Sequence, residues 1–67
     1  MLDRLKLKAK IVEKDTSIER LSKEIGIDVT TFYRKMRNNT FLVKEVDAIA
    51  AALALTREEA LSIFFAQ

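Results

Sequence analysis

The sequence has no cysteine, no histidine and no proline, and only one glycine. Without cysteine there is no disulfide and no thiol nucleophile. With histidine also missing, the usual zinc ligand sets and imidazole acid–base chemistry are excluded. A single Gly and no Pro leave little turn chemistry, which argues against a hairpin-rich β fold. There is no apolar run of about 18 residues and no signal-peptide pattern, so a soluble, intracellular chain without a membrane anchor is expected. The ten carboxylates are scattered, mostly at helix starts or on polar faces such as Glu24, Glu45 and Asp47. No nucleophile stands at helical spacing from a base, and there is no phosphate loop or metal-ligand pattern. Neither an enzyme nor a cofactor, metal or small-molecule ligand is expected.

What remains is apolar, charged and helix-forming. Of the 67 residues, 49% are hydrophobic and 33% charged, a globular balance rather than a disordered one. The length suits one domain over residues 1–67 with modest stability, because a chain this small buries only about 60% of its unfolded surface. The net charge of +2 announces no polyanion partner, but its distribution does. Residues 1–40 hold 10 Lys/Arg and 6 Asp/Glu, whereas residues 41–67 hold 2 and 4. Between Val29 and Lys44 there are four basic residues and no acidic one. The basic half is where a polyanion is expected.

The periodicity predicts an all-α bundle of about five short helices. The first runs from about Leu2 to Lys14 and carries two apolar stripes. Leu2, Leu5, Ala9 and Val12 share one, and Leu7 and Ile11 lie opposite; one should enter the core and the other is tolerated surface or a contact site. The second helix starts near Thr16 or Ser17. Thr16 with Glu19 fits a capping box, and Ser17 alone can also cap. Ile18, Leu21 and Ile25 form its buried stripe, and Gly26 stops it with a left-handed residue. Asp28 caps the third helix, with Ile27 and Phe32 as a hydrophobic staple. Phe32 and Met36 face inward, while Val29, Thr30, Tyr33, Arg34 and Arg37 face out. The fourth helix covers about Val43 to Ala54, with Val46, Ile49, Ala50 and Leu53 inward. Thr56 with Glu59 gives a capping box that opens the fifth, where Leu61, Phe64 and Phe65 suit the core and Ile63 points elsewhere.

Two short helices meeting at Gly26 make a helix-turn-helix arrangement. The stretch Ser17-Ile18-Glu19-Arg20-Leu21-Ser22-Lys23-Glu24-Ile25-Gly26-Ile27-Asp28-Val29-Thr30-Thr31-Phe32-Tyr33-Arg34-Lys35 resembles the helix-turn-helix of phage Cro and repressor proteins, within the xenobiotic-response-element (XRE) family of bacterial regulators. Thr31 to Met36, followed by Asn38 and Asn39, is similar to small XRE proteins of Gram-positive phages and mobile elements. Ser22 is the small residue between the helices, and Leu21, Ile25, Ile27 and Phe32 are the interior positions. The chain departs from the family pattern at Ile18, often Gln; at Lys35, commonly apolar; and at Leu42, where a capping Ser or Thr is usual.

The resemblance implies a lambda-repressor-like DNA-binding domain whose third helix enters the major groove. Val29, Thr30, Tyr33 and Arg34 would then read base edges, Arg34 bidentately on guanine or on a phosphate. Ser17, Lys35, Arg37, Asn38, Asn39, Thr40 and Lys44 would contact the phosphate backbone and set register. Blander readings stand beside these. Arg34, Lys35 and Arg37 can be a solvated helix face, Tyr33 a surface aromatic, and Arg4, Lys6, Lys8 and Lys10 a solvated face rather than a DNA arm.

A single module of this size reads few base pairs, so a palindromic operator and a weak homodimer are expected, with recognition helices about 34 Å apart. Leu55, Ile63 and Gln67 are the expected dimer contacts, against the alternative that Ile63 is a lone exposed hydrophobe. The second stripe of the first helix is an alternative partner site, for example for an antirepressor or RNA polymerase. The leading expectation is a sequence-specific double-stranded DNA-binding transcriptional regulator in the cytoplasm of a bacterial host, on its nucleoid. The alternatives are a protein-interaction bundle, such as an antitoxin or antirepressor-binding module, and a structural, excision or packaging DNA-binding protein.

Overall fold

The computed structural model describes residues 1–66. It contains five helices: α1 (Arg4–Glu13), α2 (Ile18–Ile25), α3 (Val29–Asn38), α4 (Val43–Ala52) and α5 (Arg57–Phe64). There is no strand among the described residues. The protein is thus a small all-α bundle. α2 packs against both α3 and α4, and α1 packs against α5.

Local chemistry sets the helix boundaries. Asp3, Ser17, Asp28 and Thr56 each accept a backbone N–H in the first turn that follows. Those first-turn N–H groups have no partner within the helix, so each cap satisfies a donor that would otherwise be orphaned. Ser17 is the cap of α2, and the Thr16–Glu19 box does not form. The Thr56–Glu59 box forms in both directions, at 2.8 and 3.1 Å. Gly26 ends α2 in the left-handed region, at φ 81°. Elsewhere the chain turns without glycine. Asp15, Asn39 and Ala54 take positive φ of 57°, 56° and 51°, which lets α4 end despite lacking any breaker.

The core joins all five helices. Leu7 and Ile11 of α1 meet Leu21, Phe32, Met36, Ile49 and Leu53. Phe41, in the α3–α4 connection, stacks edge-on against both Phe32 and Phe64, with ring centroids 5.1 and 6.3 Å away. This aromatic chain ties α3 to the end of α5.

The open choice between the two stripes of α1 is settled here, and four other expectations change. In α1 the Leu7/Ile11 stripe enters the core and Leu5 and Val12 are left 78% and 76% exposed. Leu2 is buried although it shares the periodicity of the outer stripe. It lies before the helix, where helical spacing does not govern direction. In α5, Ile63 is only 3% exposed while Leu61 and Phe65 are out. The Ile63 carbonyl also accepts the Asp3 N–H at 2.7 Å, which ties this end of α5 to the N-terminal segment. Leu55 is half-buried against the core rather than free. Ile63 is therefore a core residue, Leu55 is partly buried beside the core, and Gln67 lies outside the described residues. Glu45, read as a surface carboxylate, is buried.

The left-handed turns give opposite predictions from one cause. An L side chain at positive φ costs about 1–2 kcal/mol. A Cβ at Gly26 would meet nothing within 4 Å, so Gly26→Ala should destabilise by about 1 kcal/mol through φ alone. Ala54→Gly should stabilise by up to about 1 kcal/mol, the relief being partly offset by unfolded-state entropy. Urea unfolding followed by circular dichroism measures both; equal signs would contradict the argument.

Candidate nucleic-acid interface

α3 carries the basic bias, and its rotation about its own axis decides which residues reach solvent. Asp28 Oδ2 accepts the Thr30 N–H at 3.0 Å and starts the helix. Phe32 is fully buried and Met36 nearly so. At i and i+4 these two define the inner face. The opposite face is then Thr30, Arg34 and Arg37, at i, i+4 and i+7, with Tyr33 alongside. All four are exposed, and Tyr33 shows 42% of its surface. Val29 is half-buried at the edge of this row. The structure therefore brings Thr30, Tyr33, Arg34 and Arg37 together as one row of hydrogen-bonding and cationic groups.

The residues around the row divide. Lys35 is tied inward: its Nζ donates to Glu45 Oε2 at 2.6 Å. Glu45 Oε1 accepts the Leu42 N–H at 2.8 Å, so one carboxylate caps α4 and holds α3. Leu42 has no side-chain oxygen, and Glu45 supplies half of the capping box in its place. Burial pushes the Glu45 carboxyl up. The hydrogen bonds from Lys35 and Leu42, with the charges of Lys35 and Lys44, outweigh this and hold it below its ordinary value.

Asn39 is also engaged, its Oδ1 accepting the Leu2 N–H at 3.1 Å. Asn38 and Thr40 are exposed, and the Thr40 N–H closes the end of α3 on the Lys35 carbonyl at 3.0 Å. The Ser17 hydroxyl accepts the Arg20 N–H at 3.1 Å. Lys44 lies in the first turn of α4 and shares a hollow of about 380 Å³ with Ile25, Gly26, Ile27 and Leu42. It thus stands beside the α2–α3 turn, next to the start of α3.

The other end of α3 lies beside a residue that the sequence places on a solvated face rather than at a site. Arg4, from the first turn of α1, lines one hollow with Arg37 and Asn39. No local signal pointed there, because the proximity follows from how α1 packs. Two further cations of α1 are engaged elsewhere. Lys6 Nζ donates to Ser62 Oγ at 2.7 Å, and Lys10 Nζ reaches Glu59 at 2.5 Å and Glu13 at 2.9 Å. No protein-family model, curated protein or solved structure matches this chain. The interface therefore rests on its own geometry: a cationic, hydrogen-bonding row on one helix, with Lys44 near its start and Arg4 near its end.

The apolar groups left outside the core gather elsewhere. Met1, Val43 and Phe65 are exposed and line a depression of about 200 Å³ with Phe41, Val46 and Phe64. Leu61, four residues before Phe65, is exposed as well. No helix is long and apolar enough to cross a membrane among the described residues.

The ion pairs predict an acid response. Hydrogen bonds from Lys10 and from the Thr56 N–H lower the Glu59 carboxyl from 4.5 to about 2. A carboxyl lowered in the folded state stabilises above its unfolded value and loses that contribution as pH falls through the folded one. The loss should run from about pH 4.5 toward 2, with Glu45 adding to it in the same direction. The urea midpoint should fall across that window. In Glu59→Gln the midpoint should start lower at neutral pH and fall less steeply; parallel curves would count against the pairing.

Proposed function

We propose that this protein is a small sequence-specific double-stranded DNA-binding regulator in which α2 and α3 act as a helix-turn-helix and α3 enters the major groove. The observation that carries the reading is the outward row of α3. Thr30, Tyr33, Arg34 and Arg37 occupy one face because Phe32 and Met36 occupy the other. Such a face offers a methyl and a hydroxyl, a phenol and two guanidinium groups to base edges and phosphates, the chemistry that duplex readout uses. Val29, at the rim, adds apolar contact for a thymine methyl. Asn38, Thr40 and Lys44 are the free polar groups suited to phosphate. Lys35 acts through Glu45 and holds the helix instead. The likeness of Ser17 to Lys35 to phage Cro and repressor proteins of the XRE type supports the same reading. Regulation would come from occupancy of a promoter in the bacterial cytoplasm.

Selection from a random duplex library tests the function directly. One preferred site should emerge, and Arg34→Ala should weaken binding to it by about 1–3 kcal/mol if Arg34 reads a base pair. Equal loss on selected and random DNA would refute base reading by Arg34. Failure to enrich any sequence would refute the function.

The module reads few base pairs alone, so a weak homodimer on a palindromic operator belongs to the proposal. Its contact is the depression around Met1, Val43 and Phe65, not the buried Ile63. This patch has an apolar centre that a two-fold copy can cover. Phe65→Glu should abolish self-association in sedimentation experiments and shorten the selected site to one half. A wild-type monomer at high micromolar concentration, both free and on DNA, would contradict the dimer.

A second reading, a protein-interaction module, is favoured by one observation: the ridge of Leu5 and Val12 on α1, about three-quarters exposed. A flat salt response with no sequence enrichment would favour it.

A further inference from the structure

We infer that Arg4 and Arg37 form a phosphodiester-binding subsite at the C-terminal end of α3, built from two helices that are far apart in sequence. The inference rests on the DNA-binding reading and extends it to a residue outside the helix-turn-helix. Arg4 and Arg37 both line one hollow of about 240 Å³, together with Asn39. Neither makes a salt bridge among the described residues. Two exposed cations facing one hollow repel each other until an anion enters, so the free protein holds positive potential there. Arginine presents planar, forked donors, which suit the oxygens of a phosphate.

The hollow is preorganised. Leu2 is buried and its N–H is bound by Asn39 Oδ1 at 3.1 Å. The Asp3 N–H is bound by the Ile63 carbonyl at 2.7 Å, and the Asp3 side chain caps α1. Arg4 therefore projects from a backbone fixed to the end of α3 on one side and to α5 on the other. It is not part of a flexible basic arm. Arg37 lies on the outward row with Arg34, so a strand whose bases meet Thr30 and Arg34 runs its backbone past the α3 end. A clamp there sets the register of α3 in the groove, with Lys44 on the opposite side of the row.

The competing role for these arginines is to offset the partial negative charge at the C-terminus of α3. The experiment separates the two. Duplex affinity is measured over a salt series for the wild type, Arg4→Ala, Arg37→Ala and the double variant, on both the selected site and random sequence. Each lost phosphate contact should lower the slope of log affinity against log salt by about 0.9. Between about 50 and 200 mM salt each single variant should then lose roughly 3.5-fold less affinity than the wild type, and the double variant roughly twelvefold less. The loss should be equal on both duplexes, since a phosphate carries no sequence. Arg4→Lys should retain the slope.

If the wild type binds duplex and Arg4→Ala keeps its slope, the subsite is overturned and the DNA-binding reading stands. Reduced folding stability of Arg4→Ala with unchanged duplex affinity would assign Arg4 to the helix end and also overturn it. If the wild type binds no duplex at any salt, both fall. Inorganic phosphate at matched ionic strength should shift the backbone amide signals of residues 4 and 37–40 only weakly and should compete with duplex there. A saturable shift there, without effect on duplex binding, would assign the hollow to a free anion and overturn the proposal.

Discussion

Burial of Phe32 is the constraint on which the rest depends. Its ring is removed from solvent and packs edge-on against Phe41, which in turn meets Phe64. A helix buried through one large side chain cannot roll without opening a cavity, and cavities of that size cost several kcal/mol. With Met36 one turn further on, the roll of α3 is settled. Thr30, Tyr33, Arg34 and Arg37 then have only one direction in which to point. The outward row is thus the complement of the core, and the same packing that folds the domain orients its candidate reading surface.

Electrostatics adds a second restraint between α3 and α4. Lys35 is the one cation of α3 that turns inward, and Glu45 meets it with one oxygen while capping α4 with the other. A buried pair of this kind contributes less to stability than to geometry, because desolvation offsets much of the attraction. The basic and acidic halves of the chain are therefore in contact as well as separate. Two pairs, Lys35–Glu45 and Lys10–Glu59, join a cation from the first half to a carboxylate from the second. Among the cations outside these pairs, Arg34 and Arg37 lie on the outward row of α3, with Lys44 near its start and Arg4 near its end.

Local signals were legible wherever one residue and its neighbours carry the physics. Asp28 capped, Gly26 turned left-handed, Thr56 and Glu59 paired, and Phe32 with Met36 faced inward, because each depends on spacing within one turn. Signals failed where a choice lay between two equivalent faces. α1 offers two apolar stripes of similar strength, and periodicity cannot say which one meets α5. In α5, Ile63 and Phe65 exchanged roles for the same reason: four adjacent apolar positions allow several rolls. Glu45 was misread because its partner stands ten positions away on another helix.

The sequence by itself determined the all-α character, the five helices, most of their caps and the inner face of α3, since these follow from propensity, capping chemistry and a 3.6-residue period. Only the tertiary structure decided that Lys35 is held by Glu45, that Ile63 is core and Phe65 surface, and that Arg4 stands beside Arg37. Those outcomes depend on how helices distant in sequence pack together. Packing chooses among faces that local chemistry leaves equal.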